Sequence, residues 1–216
     1  MSANSTIYSI GHGHKSVDDF LSELKSFDIQ YLIDVRSSPY SKWAEQFNQG
    51  LIEGVLQEKG VRYVYMGDSI GGRPQSESYY DDEGYFDYRK MAMMPNFRVG
   101  LSRLVNANAK GCRVAVMCSE SDPSECHRSK LIGRELYFTH QISMKHIVGA
   151  NHFISQEDIM KKLTKGQWEP SGGLFGAWDP PYFKSRKPYK KNLQISGWYG
   201  ASEKACHSEI DDDLPF

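Results

Sequence analysis

Apolar residues along the first 150 positions recur at two different periods. Short β-prone runs at Thr6–Ile10, Gln30–Val35, Val61–Met66, Cys112–Cys118 and Lys145–Val148 alternate with stretches whose apolar residues return every three or four positions. Val17, Phe20, Leu21 and Leu24 follow Ser16 at helical spacing. Ser16 is a predicted N-cap, with Asp19 as its capping-box partner. Further helices are predicted around Leu51–Glu58, ending at Gly60 as the left-handed residue beyond the cap, and over Phe97–Val105. A third is predicted over Asp122–Phe138, where Asp122 is the N-cap, Pro123 the first helical residue and Glu125 the capping-box partner. Strands alternating with helices at this spacing predict an α/β fold: a mostly parallel, Rossmann-like sheet with helices on both faces.

Two stretches depart from that pattern. Residues 74–96 interleave Tyr79, Tyr80, Tyr85, Phe86 and Tyr88 with charged positions. A segment this long reads either as a lid or binding loop, or as an irregular excursion whose aromatics pack on the domain. Beyond about residue 165 periodicity stops, which predicts an irregular C-terminal extension. The expected organisation is an α/β domain over 1–164, a basic, aromatic extension or linker over 165–204, and an acidic tip over 205–216.

Composition narrows the class without giving a function. The 216 residues are 39% hydrophobic and 25% charged, with 26 Lys and Arg against 27 Asp and Glu. This is a globular composition that excludes a polycation coating nucleic acid or membrane. No apolar run reaches the length of a membrane span and Met1–Ser5 does not read as a signal peptide, so a cytoplasmic protein without a membrane partner is expected. Four cysteines then read as reduced thiols. Charge is uneven along the chain. Positions 165–204 carry seven Lys or Arg and three Asp or Glu, and positions 205–216 carry four acidic residues and no Lys or Arg.

Ligands of doubly wound sheets sit beyond the carboxyl ends of the strands. Three predicted strands end in chemically capable residues: His12 with His14, Asp34 with Arg36, and Cys118 with Glu120. On the predicted 122–138 helix, His127 and Arg128 share the stripe of Leu131 and Ile132, and Cys126 lies in the same turn, where the dipole and neighbouring cations favour a thiolate. The functional reading makes Arg36 and Arg128 phosphate or carboxylate anchors. His12 or His127 would be a general acid/base, and Cys118 or Cys126 a nucleophile. The structural reading makes Cys118 a buried apolar residue and Asp34–Arg36 an internal ion pair. His12, His14, Cys118, Cys126 and His127 are metal-ligand types and offer a metal reading as an alternative, but the spacings His-x-His and Cys-x7-Cys-His match no standard zinc pattern, and Gly11-His12-Gly13 is no dinucleotide fingerprint. No metal and no cofactor are expected.

Ser9-Ile-Gly-His-Gly13, Leu32-Ile-Asp-Val-Arg36 with Pro39 and Ser41, Gly71-Gly72-Arg73, and Val116-Met-Cys-Ser-Glu120 through Cys126-His127-Arg128 resemble the bacterial and archaeal domain of unknown function 488. Lys145-His146-Ile147 fits the same pattern. The resemblance spans about residues 6–150; its Cys-x-Glu and Cys-His-Arg block is the most specific part. Gly13, where the family often has serine, weakens any hydroxyl role there. The family implies a site location, adds Arg73 to the candidate binding residues and leaves the reaction open. Separately, Asp211-Asp212-Asp213-Leu214-Pro215-Phe216 is similar to the acidic tip of bacterial single-stranded-DNA-binding protein. A terminal Phe can enter an apolar pocket while the Asp run steers it to a cationic surface.

Together these features point to an enzyme acting by hydrolysis or group transfer on a nucleotide or single-stranded nucleic acid. Its tip would recruit it to proteins of DNA replication and repair. The competing reading is a non-catalytic interaction protein working through the tip and the basic segment, where Lys184, Arg186, Lys187, Lys190 and Lys191 are interleaved with Tyr182, Phe183 and Tyr189.

Overall fold

A computed structural model describes residues 5–74, 76–167, 184–189 and 214. Six strands form one sheet: β1 Ile7–Gly11, β2 Tyr31–Asp34, β3 Arg62–Tyr65, β4 Val114–Cys118, β5 Lys145–Gly149 and β6 His152–Ser155. Their spatial order is β3-β2-β4-β1-β5-β6, parallel throughout except for the β5–β6 pair. The parallel sheet predicted from alternating periodicity is therefore the observed one. Of its five parallel strands, β2, β3 and β4 lie within predicted runs, and β1 and β5 each run one residue past theirs, to Gly11 and Gly149. β6 was not predicted: it is an edge strand with one neighbour, two of its four residues are exposed, and no apolar alternation marks it.

Period-2 alternation assigns the strand side chains to two faces. Ile7 of β1, Ile33 of β2 and Val114, Val116 and Cys118 of β4 belong to one apolar layer. Tyr8, Ile10, Leu32, Ala115 and Met117 belong to the other. The second layer is covered by α1 Val17–Ser26 and α2 Gln49–Glu58, through Phe20, Leu24, Ile52 and Leu56. Ser16 caps α1 as predicted, accepting a hydrogen bond from Asp19 N, and Gly60 closes the turn after α2 at φ +74°. The first layer is covered by α3 Gly67–Ile70, α4 Tyr88–Ala92, α5 Pro95–Ala109 and α6 Arg134–His140. A last helix, α7 Gln156–Leu163, follows β6 with Ser155 as its N-cap.

The predicted continuous helix over 122–138 is corrected. Asp122 caps only a single 3-10 turn, Pro123–Glu125, through Ser124 N. Cys126 is extended, at φ −114° and ψ 151°. The chain then winds as a π-helical stretch, Arg128–Gly133, which runs into α6. Ser129 explains part of the break: its hydroxyl donates to Pro123 O and Cys126 O, tying the turn back onto the wider coil. Glu125 completes no capping box; its carboxylate meets Arg186.

Over residues 74–96 it is the packed reading that describes the chain. Tyr80, Phe86 and Tyr88 are buried in the first apolar layer. Phe86 packs edge-on to Tyr88 at 5.0 Å, and Asp81 turns the chain by accepting from Glu83 N and Tyr85 N. The described part of the basic segment lies against this excursion. Ser185 N donates to Phe86 O and Phe86 N to Ser185 Oγ, and Lys184 pairs with Asp81 and Glu83. Tyr182, Phe183, Lys190 and Lys191 lie outside the described residues. No helix among the described residues is long and apolar enough to cross a membrane.

Candidate functional site

The parallel register places Gly11 beside Cys118 and Asp34 beside Met117, so the carboxyl ends of β1, β4 and β2 are level. His12 N donates to Cys118 O and Val35 N to Met117 O, extending the sheet one residue beyond its strands. Five of the residues expected at the site meet just past this edge. Cys118 Sγ lies 2.9 Å from Glu120 Oε2 and 3.8 Å from His127 Nδ1. Cys126 Sγ lies 3.3 Å from the same carboxylate oxygen, 3.6 Å from His127 Nδ1 and 3.2 Å from Arg128 Nε. Cys118, Cys126, His127 and Arg128 are buried, and Glu120 is half-buried at the outer side. Both thiols are free.

The break at Cys126 produces this convergence. An α-helix from Pro123 would carry residues 126 and 127 around its axis by 100° each. The extended residue instead sets the Cys126 sulfur and the His127 ring on one side, facing Cys118. The neighbouring cations expected to favour a Cys126 thiolate are present, whereas the regular helix whose dipole was to assist them is not. Burial pushes the Cys126 thiol up, but the Cys118 hydrogen bond and the charges of Arg128 and His127 outweigh it and hold it well below the ordinary thiol value. Cys118 moves the opposite way, raised by its bond to Cys126 and then by burial. His127 is raised: burial lowers it, and the Cys126 sulfur more than compensates.

Two glycines make room for the cluster. A Cβ on Gly72 would lie 2.6 Å from His127 Nδ1, so the 71–74 loop rests directly on the imidazole. A Cβ on Gly11 would lie 2.0 Å from Glu120 O, where Arg128 Nη2 also donates, at 2.6 Å. Neither role is legible in the sequence, although Gly71-Gly72-Arg73 belongs to the motifs that resemble the family. Also unpredicted is a buried chain behind Arg128. Its Nη1 approaches Ser9 Oγ at 3.5 Å, Ser9 Oγ meets His146 Nδ1 at 2.7 Å, and His146 Nε2 meets Gln156 Oε1 at 2.8 Å.

The remaining candidates are placed differently. Arg36 grips Asp34 through Nε, with Nη2 reaching Asp34 Oδ2 and Phe47 O, and the Tyr63 hydroxyl donates to Asp34 at 2.7 Å. This is the internal ion pair allowed by the sequence. With Arg128 engaged by Cys126, Glu120 O and Ser9, neither guanidinium presents a free fork to a phosphate. His12 stacks on Phe47 at 4.5 Å, and its Nε2 is buried without a partner. Arg73 is exposed, over the Tyr189 ring at 4.2 Å. Asp211, Asp212, Asp213, Pro215 and Phe216 lie outside the described residues; Leu214 is described and half-buried. Linear spacing gave no metal pattern, yet Cys118, Cys126 and His127 bring three ligand atoms within 4.8 Å of one another. A shallow cleft of about 420 Å³ lined by Glu53, Gln57, Gly60, Val61, Arg62 and Tyr63 includes none of the candidate site residues.

Fold and site together define an α/β protein with a buried two-thiol, one-imidazole cluster at the carboxyl edge of a parallel sheet. The chain belongs to the family described as domain of unknown function DUF488, whose sequence model matches residues 16–134. No curated protein and no solved structure matches it.

Proposed function

We propose that this protein is an enzyme of hydrolysis or group transfer, acting on a nucleotide or single-stranded nucleic acid at the Cys118–Glu120–Cys126–His127 cluster. The observation that carries this reading is the meeting of half-buried Glu120 with two sulfurs and an imidazole at the sheet edge; His12, outside that cluster, adds a second one. Its Nδ1 faces Gly13 O at 3.2 Å, and a carbonyl only accepts, so Nδ1 holds the proton of the neutral ring. The bare Nε2 is buried and unpaired. Burial, then Arg36, drops the His12 pKa to about 4, so the ring stays neutral near pH 7. An orphaned buried acceptor costs roughly 1–3 kcal/mol; a substrate O–H or N–H donated to Nε2 removes that cost.

Half-buried Glu120, beside both sulfurs, is placed to move a proton at the mouth of the cluster. The substrate class is supported by the loops that follow β2 and α3. Tyr40 and Trp43 are exposed, Lys42 Nζ lies over the Trp43 ring, and Arg73 lies over Tyr189. An exposed ring beside a cation, as Trp43 is beside Lys42, suits a base and its phosphate. Arg36 and Arg128 serve this site by holding its walls. The acidic run Asp211–Asp213 with Leu214, Pro215 and Phe216 would recruit the enzyme to proteins of DNA replication or repair.

The test is turnover of nucleotides and single-stranded oligonucleotides by the purified chain, with H12A and E120Q as variants. Turnover by the wild type, reduced at least about 100-fold in E120Q, is expected. If calorimetry finds that neither ligand class binds the full chain, the reading is wrong. Recruitment has its own check: capture of replication and repair proteins that is unchanged after removal of Phe216 refutes the docking role.

A further inference from the structure

We propose that Cys118, Cys126 and His127 bind a Zn²⁺ ion through both sulfurs and Nδ1, leaving a fourth position open beside Glu120. The site rests on the geometry and donor chemistry of its three ligands, and only the role given to Glu120 depends on the hydrolytic reading above.

The first argument concerns which atom of His127 is available. Nε2 lies 3.2 Å from Val35 O. A carbonyl cannot donate, so Nε2 carries hydrogen in every protonation state and Nδ1 is the nitrogen left to coordinate. A ring nitrogen donating to a backbone carbonyl while the other faces the metal is the usual outer support of a zinc-bound histidine. Gly72, whose missing Cβ would strike the ring, lets the backbone press the imidazole into that orientation.

The second argument is dimensional. Tetrahedral zinc with bonds of about 2.3 Å to sulfur and about 2.05 Å to nitrogen requires N···S edges of about 3.6 Å. The two Nδ1···Sγ distances are 3.6 and 3.8 Å. The same geometry with oxygen requires O···S edges of about 3.5 Å. Glu120 Oε2 stands closer than that, at 2.9 and 3.3 Å. Its present position is that of a hydrogen-bond acceptor from the thiols. Metal binding displaces the protons held among these atoms, which releases the carboxylate toward the open side.

The third argument is charge and softness. Two thiolates and an imidazole form a donor set for a thiophilic ion, not for Ca²⁺ or Mg²⁺. Two thiolates neutralise Zn²⁺, and Arg128, donating through Nε to the Cys126 sulfur at 3.2 Å, balances Glu120. Three protein ligands and an open position form the pattern of catalytic rather than structural zinc. A water held there and deprotonated toward Glu120 is the nucleophile that a hydrolase acting on a nucleobase or nucleotide needs.

The experiment is metal analysis of the full-length protein after zinc loading and exhaustive dialysis. About one zinc per chain is expected in the wild type and in E120Q, with loss in C118S, C126S and H127A. Because these three variants remove buried groups, the wild type is also loaded with Co²⁺. A tetrahedral visible spectrum with a thiolate-to-cobalt charge-transfer band is expected. Wild-type protein that retains no zinc, or cobalt-loaded protein without the thiolate band, overturns the proposal, as does a Cys118–Cys126 disulfide in its place. Zinc bound by a chain that turns over no nucleotide overturns the enzymatic reading and leaves the metal site standing. Turnover by the zinc-free chain leaves the enzymatic reading standing and overturns the role of a zinc-held water beside Glu120.

Discussion

Lowering the pH should destabilise the fold through His146, by an amount set by the polar chain behind Arg128. Gln156 Nε2 donates to Ser129 O at 3.1 Å, which turns Oε1 toward His146 Nε2. Nε2 therefore carries the ring proton, and Nδ1 accepts from the Ser9 hydroxyl at 2.7 Å. The neutral ring is fully satisfied and completely buried. A second proton on Nδ1 would face a hydroxyl oxygen already approached by the Arg128 guanidinium. Burial, opposed by the Gln156 bond and assisted by Arg128, lowers the pKa from 6.5 to about 4. Between these values the unfolded chain binds the proton and the native chain does not, so stability is complete above pH 6.5 and falls as pH falls. The full loss, reached below pH 4, is about 3 kcal/mol, of which about 2 kcal/mol has gone by pH 5. Urea unfolding of the wild type and H146Q, in chelator at pH 7.5 and pH 5, measures it. The wild type should lose about 2 kcal/mol more than the variant over this range. Parallel pH profiles would refute the assignment of a buried neutral imidazole.

Three other perturbations separate architecture from chemistry. R36M leaves the buried Asp34 carboxylate with only the Tyr63 hydroxyl and the Arg36 backbone amide as donors; a loss of about 3–5 kcal/mol in denaturant unfolding is expected, and a loss under about 1 kcal/mol refutes the pair's structural role. F86A, at a fully buried position of the 74–96 excursion, should cost about 3–5 kcal/mol; a mobile lid would show almost no change in unfolding. G72A should push the His127 ring aside without replacing any ligand residue and weaken zinc retention roughly 10–100-fold in a chelator competition; unchanged affinity would mean the 71–74 loop does not position the ring.

The sequence by itself determined the layer order and the neighbourhood of the site. Apolar runs at period 2 and stripes at period 3.6 are local signals, so β1, β2, β4, α1 and α2 were legible, as was Ser16 at its cap. The ends of three strands named His12, Asp34 and Cys118 because a parallel sheet brings its carboxyl edges level. The tertiary structure decided the chemistry. Helix rules predicted regular winding through Cys126; the buried hydroxyl of Ser129 and the wide coil from Arg128 to Gly133 set that aside, and an extended Cys126 faced Cys118 across the edge. Linear spacing could not anticipate a site whose ligands come from a strand end and a broken turn. Arg36 and Arg128 look alike as sequence candidates, and only their three-dimensional partners show both to be internal braces. Local periodicity reports which face a residue takes, whereas the partner it meets there depends on chain segments more than a hundred residues away, as Ser9 and His146 are.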